Sequence, residues 1–239
     1  MTCRFSLWCV IVASALAASA APRIIEIPAL SFGKNRWSVV KLTNSSALAR
    51  TVTIEVYRQN GDKLPLGGEV SLKPRETMEL RVEAETERPR EMCWARVADP
   101  SGEPGLEATG VLEVLRGDTI ESFERPPHEP SRNTRWMTPS WSVQNKDLYF
   151  LNASDRLVEV SFCMSDRRTT AACPKRATHY PVPPKQSIML AVGKLRQQYF
   201  LTESSVPGQA VLVLMIPAAG DRKTFSSDSS IQFGDASER

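Results

Sequence analysis

One order of short segments runs through the chain twice, and that duplication limits what it can fold into more than any other feature. In the first copy Trp37-Ser38-Val39 leads through Leu42 to Asn44-Ser45-Ser46, and 51–57 (TVTIEVY) then alternates Val52, Ile54 and Val56 with Thr53 and Glu55. Period-two alternation of this kind describes a half-buried strand. A polar turn over 58–63 carries Asn60-Gly61, a pair suited to hairpins. Strands follow over 70–74 (VSLKP), 77–83 (TMELRVE), 93–99 (CWARVAD) and 108–115 (ATGVLEVL), with Arg116-Gly117-Asp118 after the last. The second copy starts at Trp141-Ser142-Val143 and passes through Asn152-Ala153-Ser154 to 157–162 (LVEVSF). There 180–192 (YPVPPKQSIMLAV) repeats VSLKPRETMELRV with Pro184 in the place of Pro74 and Leu190 in that of Leu80. The strands 197–204 and 209–216 complete it, and Gly220-Asp221 ends it as Gly117-Asp118 ends the first.

Between the copies, 124–135 (ERPPHEPSRNTR) concentrates proline, which removes a ladder donor and stiffens the chain, so it reads as a linker. The boundaries expected are therefore 1–20 for a signal peptide, 21–123 and 136–239 for two domains, and 124–135 for the joint. About seven short strands per half, with turn signals every 8 to 12 residues, is the description of an immunoglobulin-like β-sandwich. The fold class expected is all-β: two tandem immunoglobulin-like β-sandwich domains after a cleaved signal peptide. One segment pulls the other way, since 75–87 (RETMELRVEAETE) is rich in helix formers. Its apolar residues fall at 78, 80 and 82, and period two favours a strand.

The first twenty residues, MTCRFSLWCVIVASALAASA, place Arg4 before an apolar run from Phe5 to Ala17 and small residues at Ala18 and Ala20. That is the layout of a secretory signal, with cleavage after Ala20, or after Ala21 as second choice. Its apolar stretch is too short to span a membrane, for which roughly 20 residues are needed. A secreted or periplasmic location is expected. The exported chain keeps Cys93, Cys163 and Cys173 in an oxidising compartment. Nine residues that resemble a turn separate Cys163 from Cys173, so a disulfide closing a hairpin is expected between them. Cys93 alternates with Ala95 and Val97 and reads as a small buried hydrophobe.

The formal charge of +3, from 30 basic and 27 acidic residues, provides no field for nucleic acid. Hydrolases commonly use histidine, and this chain has two, His128 in the linker and His179 before Tyr180-Pro181, neither with an evident partner in sequence. There is no G-x-S-x-G, C-x-x-C, H-E-x-x-H or Gly-rich phosphate loop, so no catalytic residue, metal ligand or cofactor is assigned. Arg116-Gly117-Asp118 reads as turn chemistry rather than an adhesion motif. The Asn-x-Ser sites at Asn44 and Asn152 recur at matching positions and fit a strand-end turn better than glycosylation. Trp37 and Trp141 fit packing better than a sugar-stacking platform.

The arrangement Trp37, Leu42-Thr43-Asn44-Ser45, TVTIEVYRQNGD, Val70-Ser71-Leu72-Lys73-Pro74 and Trp94-Ala95-Arg96-Val97 resembles a repeat of secreted bacterial β-sandwich proteins, with a pattern similar to the sensory rhodopsin transducer family. The resemblance implies a fold and an exported bacterial setting. A second resemblance, through Leu72 to Arg81 and Glu91-Met92-Cys93-Trp94, is to periplasmic pilus chaperones. It implies that Val111, Leu112, Val114 and Leu115 lie on a strand offered to a partner by β-augmentation, and that Arg23 or Arg36 serves as a basic anchor.

The function expected is an exported, non-enzymatic binding or structural module of the bacterial cell envelope. Its partner would be a protein or envelope component, with no nucleic acid, membrane span or cofactor. A pilus-type chaperone and a carboxylate-dependent envelope hydrolase are the alternatives. Trp94 and Arg96 alternate with Cys93, Ala95 and Val97, so they should face away from the core and form a contact surface.

Overall fold

The alternation is realised as antiparallel strands throughout the described residues of a computed structural model: 21–83, 90–125, 127, 135–139, 146–165, 178–191, 199–204 and 211–217. The first half carries β1 (Arg23–Phe32), β2 (Arg36–Asn44), β3 (Arg50–Arg58), β4 (Lys63–Leu72), β5 (Thr77–Val82), β6 (Glu91–Asp99), β7 (Leu106–Arg116) and β8 (Thr119–Arg125). They form two sheets, β1-β6-β3-β4 and β5-β2-β7-β8. Between these sheets lies a core that includes Ile27, Leu30, Val40, Leu42, Ile54, Val56, Cys93, Val97 and Ala108, all essentially inaccessible to water. The segment rich in helix formers is a strand at its centre, β5, because its period-two residues Met78, Leu80 and Val82 pack on that core. Burial of an alternating face outweighs propensity here.

The second half carries β9 (Arg135–Pro139), β10 (Lys146–Asn152), β11 (Val158–Ser165), β12 (Thr178–Val182), β13 (Ser187–Ala191), β14 (Tyr199–Ser204) and β15 (Val211–Pro217). Its sheets are β9-β14-β11-β12 and β13-β10-β15. Replacing β1 to β7 by β9 to β15 in order converts the first pair of sheets into the second, apart from β8. The repeat read from the sequence is therefore a repeat of topology.

Four strands depart from the sequence reading. β1 was not among the expected strands because Pro28 interrupts its pattern. It is a buried strand from Ile25 to Phe32, with a register shift between Ile27 and Leu30 where Ala29 takes a φ of 54°. β4 begins at Lys63, well before the expected 70. β8 runs through Glu124 and Arg125, so the first half extends past 123 into the expected linker, and Arg135 opens β9. Residues 1–20 and 128–134 lie outside the described residues.

The two Asn-x-Ser sites are the same device built twice. Asn44 donates through Nδ2 to the carbonyls of Leu48 (2.8 Å) and Lys73 (2.9 Å), and Asn152 to those of Arg156 (2.7 Å) and Pro183 (3.1 Å). Their Oδ1 atoms accept from the N–H of Ser46 (3.1 Å) and Ser154 (3.0 Å), and from the hydroxyls of the same serines. Each network ties the end of β2 or β10 to a turn with proline in second place and a left-handed third residue, Arg75 (φ 58°) or Lys185 (φ 60°). Both asparagines are fully buried, which is the geometry of a structural turn. Replacing Asn44 by Ala strips a partner from several buried backbone groups and should cost about 1–3 kcal/mol in denaturant unfolding. The exposed neighbour Ser45, replaced by Ala, should cost under about 0.5 kcal/mol.

Candidate functional site at the junction of the halves

A strand alternates its side chains, so β6 feeds two environments. Cys93, Ala95 and Val97 point into the first core, while Trp94 lies in a second apolar cluster with Ala29, Tyr57 and Met92 of the first half and Tyr149, Leu151, Ala153 and Met189 of the second. That second cluster is the junction. Trp94 stacks on Tyr57 with ring centroids 4.7 Å apart, and its Nε1–H donates to the Lys185 carbonyl at 3.0 Å. The Ser187 N–H donates to the Gln59 carbonyl at 3.0 Å, a second cross-junction bond.

The expectation that Trp94 and Arg96 face away from the core matches their placement. The face they form is covered by the second half of the same chain: Trp94 is 0 % exposed. Arg96 donates to the Ala153 carbonyl across the junction and pairs with Glu26 at 3.2 Å within its own sheet. Lys185 reaches the same Ala153 carbonyl at 2.7 Å and pairs with Asp155 at 3.0 Å. Two cations thus converge on one carbonyl beside a buried carboxylate. Burial raises the Glu26 carboxyl above its ordinary value of 4.5, opposed by the nearby Arg96 and Lys185 charges. Burial, then Glu55, pushes the Tyr57 phenol up to about 12, so it stays neutral and donates to Glu55 at 2.9 Å.

Beside the junction a cleft of about 450 Å³ is lined by Arg58, Asn60, Arg90, Glu91, Gln186 and Met189 among others. Arg58 and Glu91 pair with each other, and the Arg58 guanidinium lies over the Phe32 ring at 5.6 Å. Farther off, the buried Arg50–Asp99 pair (2.7 Å) ties the start of β3 to the end of β6.

His179, which had no evident partner in sequence, sits on β12 with its Nδ1 3.0 Å from the Ser161 hydroxyl and 2.9 Å from a Glu159 carboxylate oxygen. Cross-strand pairing of Ser161 with His179 brings them together, a contact that no sequence spacing reveals. Both partners address one ring nitrogen, whereas a hydrolytic triad places its serine and its carboxylate on opposite nitrogens. Arg116-Gly117-Asp118 forms the apex of the β7–β8 hairpin, with Arg116 paired to Thr119 and Gly117 at φ 60°. Trp37 is overlain by the Arg81 guanidinium at 4.3 Å and donates to Glu113, so its face is occupied by the protein itself. Cys163 is buried on β11, while Cys173, Trp141 and His128 lie outside the described residues. Cys93 is a free, buried thiol that burial, and then Glu91, holds well above its ordinary value. Among the described residues no cluster of His, Cys, Asp and Glu could hold a metal ion, and no helix is long and apolar enough to cross a membrane.

Truncating Trp94 to Ala removes the largest fully buried side chain among the described residues and should cost about 3–5 kcal/mol in unfolding measurements. Cys93 in the native chain should resist thiol reagents at pH 8 and react on unfolding. No family model, curated protein or solved structure matches this chain.

Proposed function

We propose that the chain is an exported, non-enzymatic binding or structural module of the bacterial cell envelope, made of two tandem immunoglobulin-like sandwiches. The observation that carries the reading is the use of its most distinctive side chains: Trp94 and Arg96 donate to carbonyls of the second half, Lys185 among them, with Tyr57 and Glu26 buried beside them. A chain organised this way is a spacer or a scaffold, and it meets a protein or envelope partner through loops and sheet edges rather than through a catalytic pocket. Trp94 and Arg96 support that role from inside the junction, so a surface for an outside partner must lie elsewhere.

The layout counts against the chaperone alternative. Strand donation needs an open edge, and β7, which carries Val111, Leu112, Val114 and Leu115, lies between β2 and β8. The anchor candidates serve the first half: Arg23 donates to the Leu106 carbonyl at 2.7 Å, and Arg36 stands near Arg116. A serine hydrolase, a class distinct from the carboxylate-dependent alternative, would draw on Ser161, His179 and Glu159, whose side chains lie on a sheet surface with His179 and Glu159 about half exposed. The Cys163–Cys173 disulfide belongs to the same reading, because export places those thiols in an oxidising compartment.

Two measurements test this. A reporter fused to residues 1–20 should reach the periplasm, and the exported chain, unfolded without reductant, should show one reactive thiol from Cys93 and three after reduction. Three reactive thiols before reduction would remove the disulfide. Ester or glycoside turnover by the purified chain that disappears in His179→Ala would overturn the non-enzymatic reading.

A further inference from the structure

The junction holds a carboxylate where apolar packing alone would have sufficed. Glu26 sits on β1 between Ile25 and Ile27, both core residues, so its side chain lies on the opposite face of the sheet, the face that the second half covers. It is 2 % exposed. In register beside it on β6 is Arg96, and beyond Arg96 on β3 is Glu55. Glu55 is already engaged by Lys63 of β4 at 2.8 Å and by the Tyr57 hydroxyl. The second half contributes the charge of Lys185, which Asp155 meets from its own side. With the halves apart, the same face would be open to water and Glu26 would keep only Arg96.

We propose that docking of the two halves is proton-linked through Glu26: the closed junction holds a proton on this carboxylate more firmly than the open one does, so acidity tightens the pair and alkalinity loosens it. The other groups on this face do not share the transition. Tyr57 stays neutral, and Lys185 holds the Asp155 carboxyl below its ordinary value, so Asp155 is ionised throughout. Burial is the largest influence on Glu26, and it raises the carboxyl despite the two cations. The sign follows. A carboxyl raised on closing favours the closed form fully below 4.5, and that preference is lost as pH climbs through the raised value.

The Ser187 N–H reports on opening, because it donates across the junction to Gln59. Its native-state hydrogen exchange in the full chain, corrected for the intrinsic rate at each pH, should reveal an opening constant that rises with pH. The rise should be about tenfold for each unit by which docking raises Glu26. In Glu26→Gln, which keeps the shape without the charge, the constant should be flat. An equal rise in both proteins, or no rise in the wild type, overturns the proposal. Carbon-13 titration of the Glu26 carboxyl in the intact wild-type chain gives an independent reading, and a midpoint at or below 4.5 overturns it as well.

Discussion

Trp94 has its ring stacked and its only donor satisfied by groups from both halves, and the structure of the chain turns on that fact. An indole on the outer face of an isolated sheet would leave a large apolar surface in water. Here Tyr57 covers one face, Tyr149, Leu151 and Met189 share its cluster, and the Lys185 carbonyl takes its N–H. The residue that makes this carbonyl available is itself held at φ 60°, in the second-half turn that Asn152 fastens. Docking therefore depends on a strand-end turn that the first half also possesses and does not use for docking.

The docking face of the second half differs from its counterpart in the first. Through the Asn44–Asn152 match, Tyr149 and Leu151 of β10, and Ala153 just beyond it, stand where the first half has Lys41 and Thr43 of β2 and Ser45 just beyond it. Met189 pairs with Tyr149 as Glu79 pairs with Lys41. One copy of the face is apolar and covered, and the other is polar and open.

The strands were legible because burial on one face writes itself as period two, and the duplication because both copies kept their turn residues. The β5 assignment over 75–87 rested on Met78, Leu80 and Val82 against a helix-forming composition, and the core position of those residues explains why the period decided it. β1 was hidden for a related reason. It is buried on both faces, and Ile24, Ile25, Ile27, Leu30 and Phe32 are interrupted by Glu26, Pro28 and Ser31 with a register shift between Ile27 and Leu30, so no clean alternation is written in the sequence. The same double burial concealed the junction. Alternation placed Trp94 and Arg96 opposite the core, but a single chain's pattern cannot say whether the opposite side meets water, a partner or its own other half. The pairing of His179 with Ser161 was likewise out of reach, since it depends on the β11–β12 register.

Covalent linkage shapes what such a junction has to supply. Arg125 ends β8 and Arg135 opens β9, so docking is an intramolecular event at an effective concentration on the order of millimolar, and the contact need not be strong enough to hold two separate molecules together. A free dimer would favour a wholly apolar interface, because a buried carboxylate with two cations seldom recovers its desolvation cost. A tethered pair tolerates Glu26, Arg96 and Lys185 in its interior, and what those charges contribute is register and sensitivity to conditions rather than net affinity. Tyr149, Leu151, Ala153 and Met189 cover the Trp94 side of the first half, and directional bonds to the Lys185 and Ala153 carbonyls accompany that cover.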